Sequence, residues 1–222
     1  MPRKRKSKLK RFLTKKKVGI IVLIMTTLCG LFYFRDSIYS PYPAIVKDYQ
    51  IRYKLMDDPS YLVKLRNYCK YNLSDPIEGL DYVELLLWEH NHLEYPQKLD
   101  TNQNAYLDAD RREMPIDILS QCIWTDGKAL GRCGEFSLLY NGLLLANGYD
   151  SRIVVDCSVK TDNRTADDHV WNEVWIGYWF HIDPTEMRIN APWMYEVNWN
   201  KNINQIYGIQ GNIITDLTNK YR

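Results

Sequence analysis

The sequence predicts an α+β fold preceded by one N-terminal transmembrane helix, and three observations lead there. Apolar residues recur at helical spacing through the first half of the chain and alternate in strand fashion through the second. The N-terminus is different: residues 1–17 hold ten Lys or Arg and no acid, and Val18 to Phe34 then run seventeen residues without a charge.

That run is at the lower end of what crosses a bilayer as a helix, roughly 17–25 residues. A secretory signal would have a shorter apolar core and a small-residue cleavage site. This run ends Leu31-Phe32-Tyr33-Phe34, and the bulky Leu28 before Cys29 argues against a lipoprotein cleavage box. The expectation is an uncleaved signal anchor. The basic tail before the span, against a lone Arg35 just after it, sets the N-terminus in the cytoplasm and the domain outside. The predicted organisation is a basic cytoplasmic tail (1–17), the anchor (18–34), a helical part of the outer domain (35–114) and a core (115–222).

Charge follows the same division. The 222-residue chain is +2 overall, yet with ten of its 29 cations in the tail, residues 35–222 carry 19 cations against 27 acids, about −8. A basic tail beside a membrane meets anionic lipid rather than nucleic acid. Nothing in the outer domain reads as a nucleic-acid footprint, and oligomeric state is not readable. The five cysteines, at 29, 69, 122, 133 and 157, include no C-x-x-C pair, so no metal site is expected, nor any cofactor. Cys69, Cys122 and Cys157 are either one disulfide with a thiol left over or three buried small hydrophobes.

The elements follow in order. Ser40-Pro41-Tyr42-Pro43 reads as a short stiff linker. Asp58-Pro59-Ser60 has N-cap and N1-proline chemistry, with Tyr61, Leu62, Leu65 and Tyr68 at helical spacing behind it. Asp75-Pro76 is expected to open a second helix through Ile77, Leu80, Val83, Leu86 and Leu87. Residues 95–112 read as a surface loop, and Met114-Pro115 begins a short helix ending near Trp124. Cys133 to Asn147 is the clearest helix, with Phe136, Leu139, Tyr140, Leu143 and Leu144 on one stripe and Gly148 at its C-terminal stop. Strands are expected at 152–155 and 169–175, with Ile176-Gly177 as a hairpin turn leading back through Tyr178 to Ile182. Ile206–Ile209 and Asn212–Asp216 are two further strands.

The candidate chemistry begins with Cys133. A helix N-terminus offers N–H groups and a positive dipole end, which favour a thiolate. The flanking Gly131 and Gly134 are read as leaving room for a substrate backbone. A turn centred on Ile176-Gly177 sets His169 opposite Asp183 and His181 opposite Trp171. Opposed residues share a face with Cβ atoms ~5 Å apart, so Asp183 is expected to hold His169 by Nδ1–H while Nε2 takes the thiol proton. Such a Cys-His-Asp site attacks amide carbonyls. His90, His92 and His181 are read as ordinary packed histidines, and Glu135 as a complement to the helix dipole. The oxyanion donors would be the Cys133 backbone N–H and one side chain, with Trp124 the candidate and Gln121 and Trp88 its rivals. The aromatics after residue 170 are mostly core and sheet packing.

These residues resemble the transglutaminase-like superfamily, a papain-like cysteine hydrolase core in which the nucleophile helix packs on an antiparallel sheet. Within it they are closest to the peptide:N-glycanases. The stretch GRCGEFSLLYNGLLLANGYDSRIV is similar to that family's nucleophile helix and following strand, and DHVWNEVW and HIDPTE to its His and Asp strands. YEVNWNKNINQIYGI and DLTNKYR are similar to its closing strands. The resemblance implies Cys133 as nucleophile, His169 as general base then acid, and Asp183 as its orienter. It further implies amide hydrolysis or acyl transfer on a protein, glycoprotein or peptide substrate; the alternative is a catalytically silent module binding glycans or surface peptides. The eukaryotic glycanases carry two C-x-x-C pairs that bind a structural zinc. This chain has neither pair, so zinc is not implied.

Overall fold

The structure, a computed structural model, describes residues 42–95, 113–122, 127–158, 169–191 and 204–221. The basic tail, the apolar run 18–34, Trp124 and all but the first residue of the 95–112 loop lie outside the described residues. Among those described, no helix is long and apolar enough to cross a membrane. Residues 44–222 form one unit, distinct from residues 1–43.

Helices come first. α1 (Ala44–Met56) was not expected from the sequence, although Val46, Tyr49, Tyr53 and Met56 lie buried at helical spacing along it. α2 (Pro59–Tyr71) starts as its chemistry dictates, with the Asp58 side chain accepting from the Ser60 N–H. The expected start at Asp75-Pro76 is wrong. Gly79 turns the chain at φ +84°, and α3 (Tyr82–His92) begins at Asp81, whose carboxylate accepts from the Val83 and Glu84 N–H groups while Glu84 reaches back to the Asp81 N–H. That reciprocal cap satisfies donors at the helix start that an Asp-Pro pair would leave open. α4 (Pro115–Cys122) and α5 (Cys133–Ala146) complete the set, and Gly148 follows α5 at φ +80°. Two residues each of β1 (Leu93–Glu94) and β2 (Ala129–Leu130) pair in parallel just before α5.

The sheet comes second: β3 (Ser151–Ser158), β4 (His169–Trp175), β5 (Trp179–Asp183), β6 (Arg188–Ile189), β7 (Asn204–Gln210) and β8 (Ile213–Asp216) pair antiparallel in the order β6-β5-β4-β3-β7-β8. One face packs on the helices, with Val174, Phe180 and Ile182 buried in one core with Phe136, Leu139, Tyr140 and Leu143 of α5. The opposite face holds a second cluster of Val154, Trp171, Ile206, Leu217 and Tyr221.

The β4–β5 hairpin corrects the counting. Trp175 pairs with Trp179 and Glu173 with His181, so the loop has three residues, Ile176-Gly177-Tyr178, with Gly177 at φ +95°. His181 therefore faces Glu173 and not Trp171. His169 and Asp183 become diagonal neighbours instead of direct ones. A shift of two keeps their common face, and diagonal positions ~7–8 Å apart remain within reach of long side chains.

Candidate active site

Three side chains meet where α5 begins. Cys133, part-exposed, is the first residue of α5. His169 opens β4 and Asp183 closes β5, and antiparallel pairing brings those two ends together. His169 Nε2 lies 2.7 Å from Asp183 Oδ2, and the Cys133 side chain hydrogen-bonds the same imidazole. The ring is thus turned opposite to expectation: Nε2 serves the carboxylate, which leaves Nδ1 for the thiol. Burial by itself would push the imidazole towards its neutral form. The hydrogen bonds and charges of Asp183 and Cys133 outweigh burial and raise it from 6.5 to about 10.

Asp183 is fixed before it meets the histidine. It is fully buried, and its Oδ1 accepts from the backbone N–H groups of Thr185 (3.0 Å) and Glu186 (3.3 Å). Only Oδ2 is left for His169. From α3, His90 Nε2–H donates to the Pro184 carbonyl at 2.5 Å, pinning the chain just after Asp183.

The distance between thiol and imidazole is set by how α5 lies on β4. Ser137, one turn after Cys133, donates from Oγ to the Val170 carbonyl at 2.8 Å. Asn172 Nδ2 donates back to the Ser137 carbonyl at 3.1 Å. Both side chains are fully buried. Neither was singled out from sequence, though Asn172 carried a signal, a lone amide on the inward face of an apolar strand, which must find a partner.

The glycines are explained differently from the expectation. A Cβ at Gly134 would stand 2.6 Å from the Tyr49 hydroxyl, and one at Gly131 would stand 2.9 Å from Glu135 Cβ and 3.0 Å from Leu93 Cδ1. Neighbouring side chains require glycine at both positions, whatever room they leave for a substrate backbone. Glu135, at the third position of α5, accepts from the Arg132 N–H at 2.9 Å and so caps the helix. Of the oxyanion donors weighed, Trp88 is directed at the Asp75 carbonyl and Gln121 at Glu113. Trp124 lies outside the described residues.

Cys69, Cys122 and Cys157 are buried thiols, and no disulfide joins them. Among the described residues, no group of three or more His, Cys, Asp or Glu side chains is placed to hold a metal ion. The chemistry available is that of a thiol, an imidazolium and a carboxylate in a row. Such a row can form a thioester from an amide and hydrolyse it.

Residues 83–184 match the model of the transglutaminase-like superfamily. A peptide-N(4)-(N-acetyl-beta-glucosaminyl)asparagine amidase of Arabidopsis thaliana is 34% identical over 94 residues, 41% of this chain and 12% of that protein. The amidase of the same name from Drosophila melanogaster is 36% identical over 94 residues, 41% of this chain and 14% of its own. The chain thus spans a small fraction of the length of these relatives. A solved structure of a cysteine protease candidate from Cytophaga hutchinsonii aligns over 80% of this chain and 57% of its own at 15% identity, with a TM-score of 0.37, too distant to bear weight. The stretch 83–184, which includes Cys133, His169 and Asp183, is thus similar to the transglutaminase-like superfamily, and about two fifths of the chain is similar to peptide-N(4)-(N-acetyl-beta-glucosaminyl)asparagine amidases.

Proposed function

We propose that the chain is a membrane-anchored, thiol-dependent amide hydrolase or acyltransferase, with hydrolysis of an Asn-linked glycan amide as its favoured reaction. The observation that carries this reading is the imidazole of His169, bonded on one side to Asp183 at 2.7 Å and on the other to Cys133. Cys133 is the nucleophile: its sulfur bonds to the amide carbonyl carbon while His169 passes its proton to the departing nitrogen. For a glycosylated asparagine the leaving group is a glycosylamine. Water then attacks the thioester with His169 as base, giving the carboxylate and the free thiol. Asp183 holds the imidazole and balances its charge throughout. The names of the relatives support the glycan amide over peptide cleavage or cross-linking. The run 18–34 supplies the anchor, and the charge asymmetry around it supports a domain facing away from the cytoplasm.

The test is iodoacetamide labelling of the full chain in detergent across pH 5–9, resolved by cysteine, alongside turnover on glycopeptides and glutamine donors. Cys133 should label fast below pH 7 and slow in His169→Ala, and Cys133→Ala should lose turnover while melting like wild type. Because His169 is raised from 6.5 to about 10, its imidazolium is retained through neutral pH and is lost as the pH climbs through about 10. Turnover should therefore persist through neutral pH and decline towards pH 10. A Cys133 no more reactive than a free cysteine would leave a binding module instead.

A further inference from the structure

On the side of the sheet away from the helices lies a buried ionic cluster that the reaction above does not use. Glu173, fully buried in β4, receives hydrogen bonds from three residues. Arg152 of β3, directly opposite in the ladder, donates from Nε at 2.6 Å and also from Nη2. Lys220 Nζ and the Tyr221 hydroxyl both donate to Oε1. The Tyr221 oxygen accepts in turn from Trp171 Nε1 at 3.0 Å. The Trp171 indole, fully buried, stands beside His169 with ring centroids 5.7 Å apart and planes within 26° of parallel. A continuous path of contacts therefore runs from Glu173 through Tyr221 and Trp171 to the imidazole.

The segment that supplies Tyr221 is itself tied down. Thr218–Lys220 form a 3-10 turn after β8. The Leu217 N–H donates to the Ile206 carbonyl at 2.7 Å, and the Ile206 N–H to Thr218 Oγ1 at 3.1 Å. Gly208 makes the passage possible, since a Cβ there would stand 2.8 Å from Leu217 Cδ1 and 3.1 Å from Arg152 Cδ. Ile206, Gly208 and the 217–221 segment lie beyond the 83–184 stretch that matches the family model, whereas Arg152, Trp171 and Glu173 lie within it.

Stability alone is a poor reason for such a cluster. Desolvating an arginine and a glutamate offsets most of their attraction, and well-packed apolar residues of the same volume commonly do as well. What a saturated buried carboxylate does supply is a fixed direction for its donors. An imidazole at a strand end, gripped by one carboxylate, retains freedom to tilt about that bond, and a flat indole alongside removes it.

We propose that Tyr221 is a positioning residue: clamped by Glu173, it fixes Trp171 and thereby the plane of the His169 imidazole between Cys133 and Asp183. The inference rests on the amidohydrolase reading. It assigns residues 217–221 to the back of the active site, in contact with no substrate atom. Loss of the clamp affects kcat and leaves KM unchanged.

The experiment is Tyr221→Phe in the full chain, which deletes one hydroxyl and keeps the ring. Expected are a cooperative melt lowered by a few degrees for the lost buried hydrogen bonds, Cys133 labelling below pH 7 slowed about 10-fold, and kcat lowered about 10-fold at constant KM, the scale of a small misplacement of a reacting group. Should that variant fail to fold, Trp171→Phe removes the same link, and the same losses are expected of it. Unchanged labelling and kcat in a folded variant would overturn the proposal and leave the amidohydrolase reading standing. Slow labelling of Cys133 already in wild type would instead remove the amidohydrolase reading, and this inference with it.

Discussion

At the scale of single residues, Glu89 presents the sharpest energetic anomaly. It is fully buried on α3 with neither carboxylate oxygen in a hydrogen bond of ordinary geometry, and burial, only partly offset by the backbone at Tyr140 and reinforced by the charge of Asp183, pushes its pKa well above 4.5. A carboxyl raised in the fold favours folding in full below its unfolded value of 4.5, and that contribution is lost as pH rises towards the folded value. The urea midpoint of wild type should fall from pH 4.5 to pH 7, at up to about 1.4 kcal/mol per pH unit. In Glu89→Gln that slope should flatten, and a slope identical to wild type would refute the assignment. Glu89 was invisible in the sequence because a glutamate in a helix reads as solvated. Cys133, His169 and Asp183 were legible because each is a chemically marked residue at an element boundary. The ring nitrogen facing each partner was not, since it depends on a rotamer that only the packed strands decide.

At the scale of elements, α5 and β4 behave as one device. The Ser137–Val170 and Asn172–Ser137 hydrogen bonds fasten them close to Cys133 and His169. Ser137→Ala and Asn172→Ala should each cost about 1–2 kcal/mol in urea unfolding. Because the two share Ser137, a double-mutant cycle should show them coupled, and strict additivity would argue that they act separately. The helix itself was readable from its apolar stripe, and β4 from its alternation. The hairpin register was not, because moving the turn's centre to Gly177 slides every pairing by two and leaves the apolar pattern intact. α1 escaped notice for another reason: its buried stripe includes Tyr49 and Tyr53, whose hydroxyls made the segment look polar.

At the scale of the whole molecule, the stretch that matches the family is completed from both sides. Tyr49 reaches the start of α5 from α1, and Tyr221 reaches Trp171 from the 217–221 segment. Neither contact was predictable, since one joins residues 50 positions apart and the other residues 85 apart, and neither follows from a local pattern. The outward orientation proposed for residues 35–222 has its own test in the sequon Asn72-Leu73-Ser74, where Asn72 and Ser74 are exposed at the end of α2. With Asn163-Arg164-Thr165 as a second sequon, the full chain made in a glycosylating secretory host should gain glycan mass that Asn72→Gln lowers by one glycan. Membrane-inserted chain with Asn72 unmodified would count against that orientation.

The meeting of Tyr49 with Gly134 also constrains the order in which this chain can change. A methyl group at 134 and a hydroxyl at 49 compete for the same space, 2.6 Å apart. Substitution at 134 is closed while the tyrosine stands and opens only after position 49 has lost its oxygen or shifted. The two sites, 85 residues apart, must therefore drift as a pair, with the helix partner moving first and the residue beside Cys133 second.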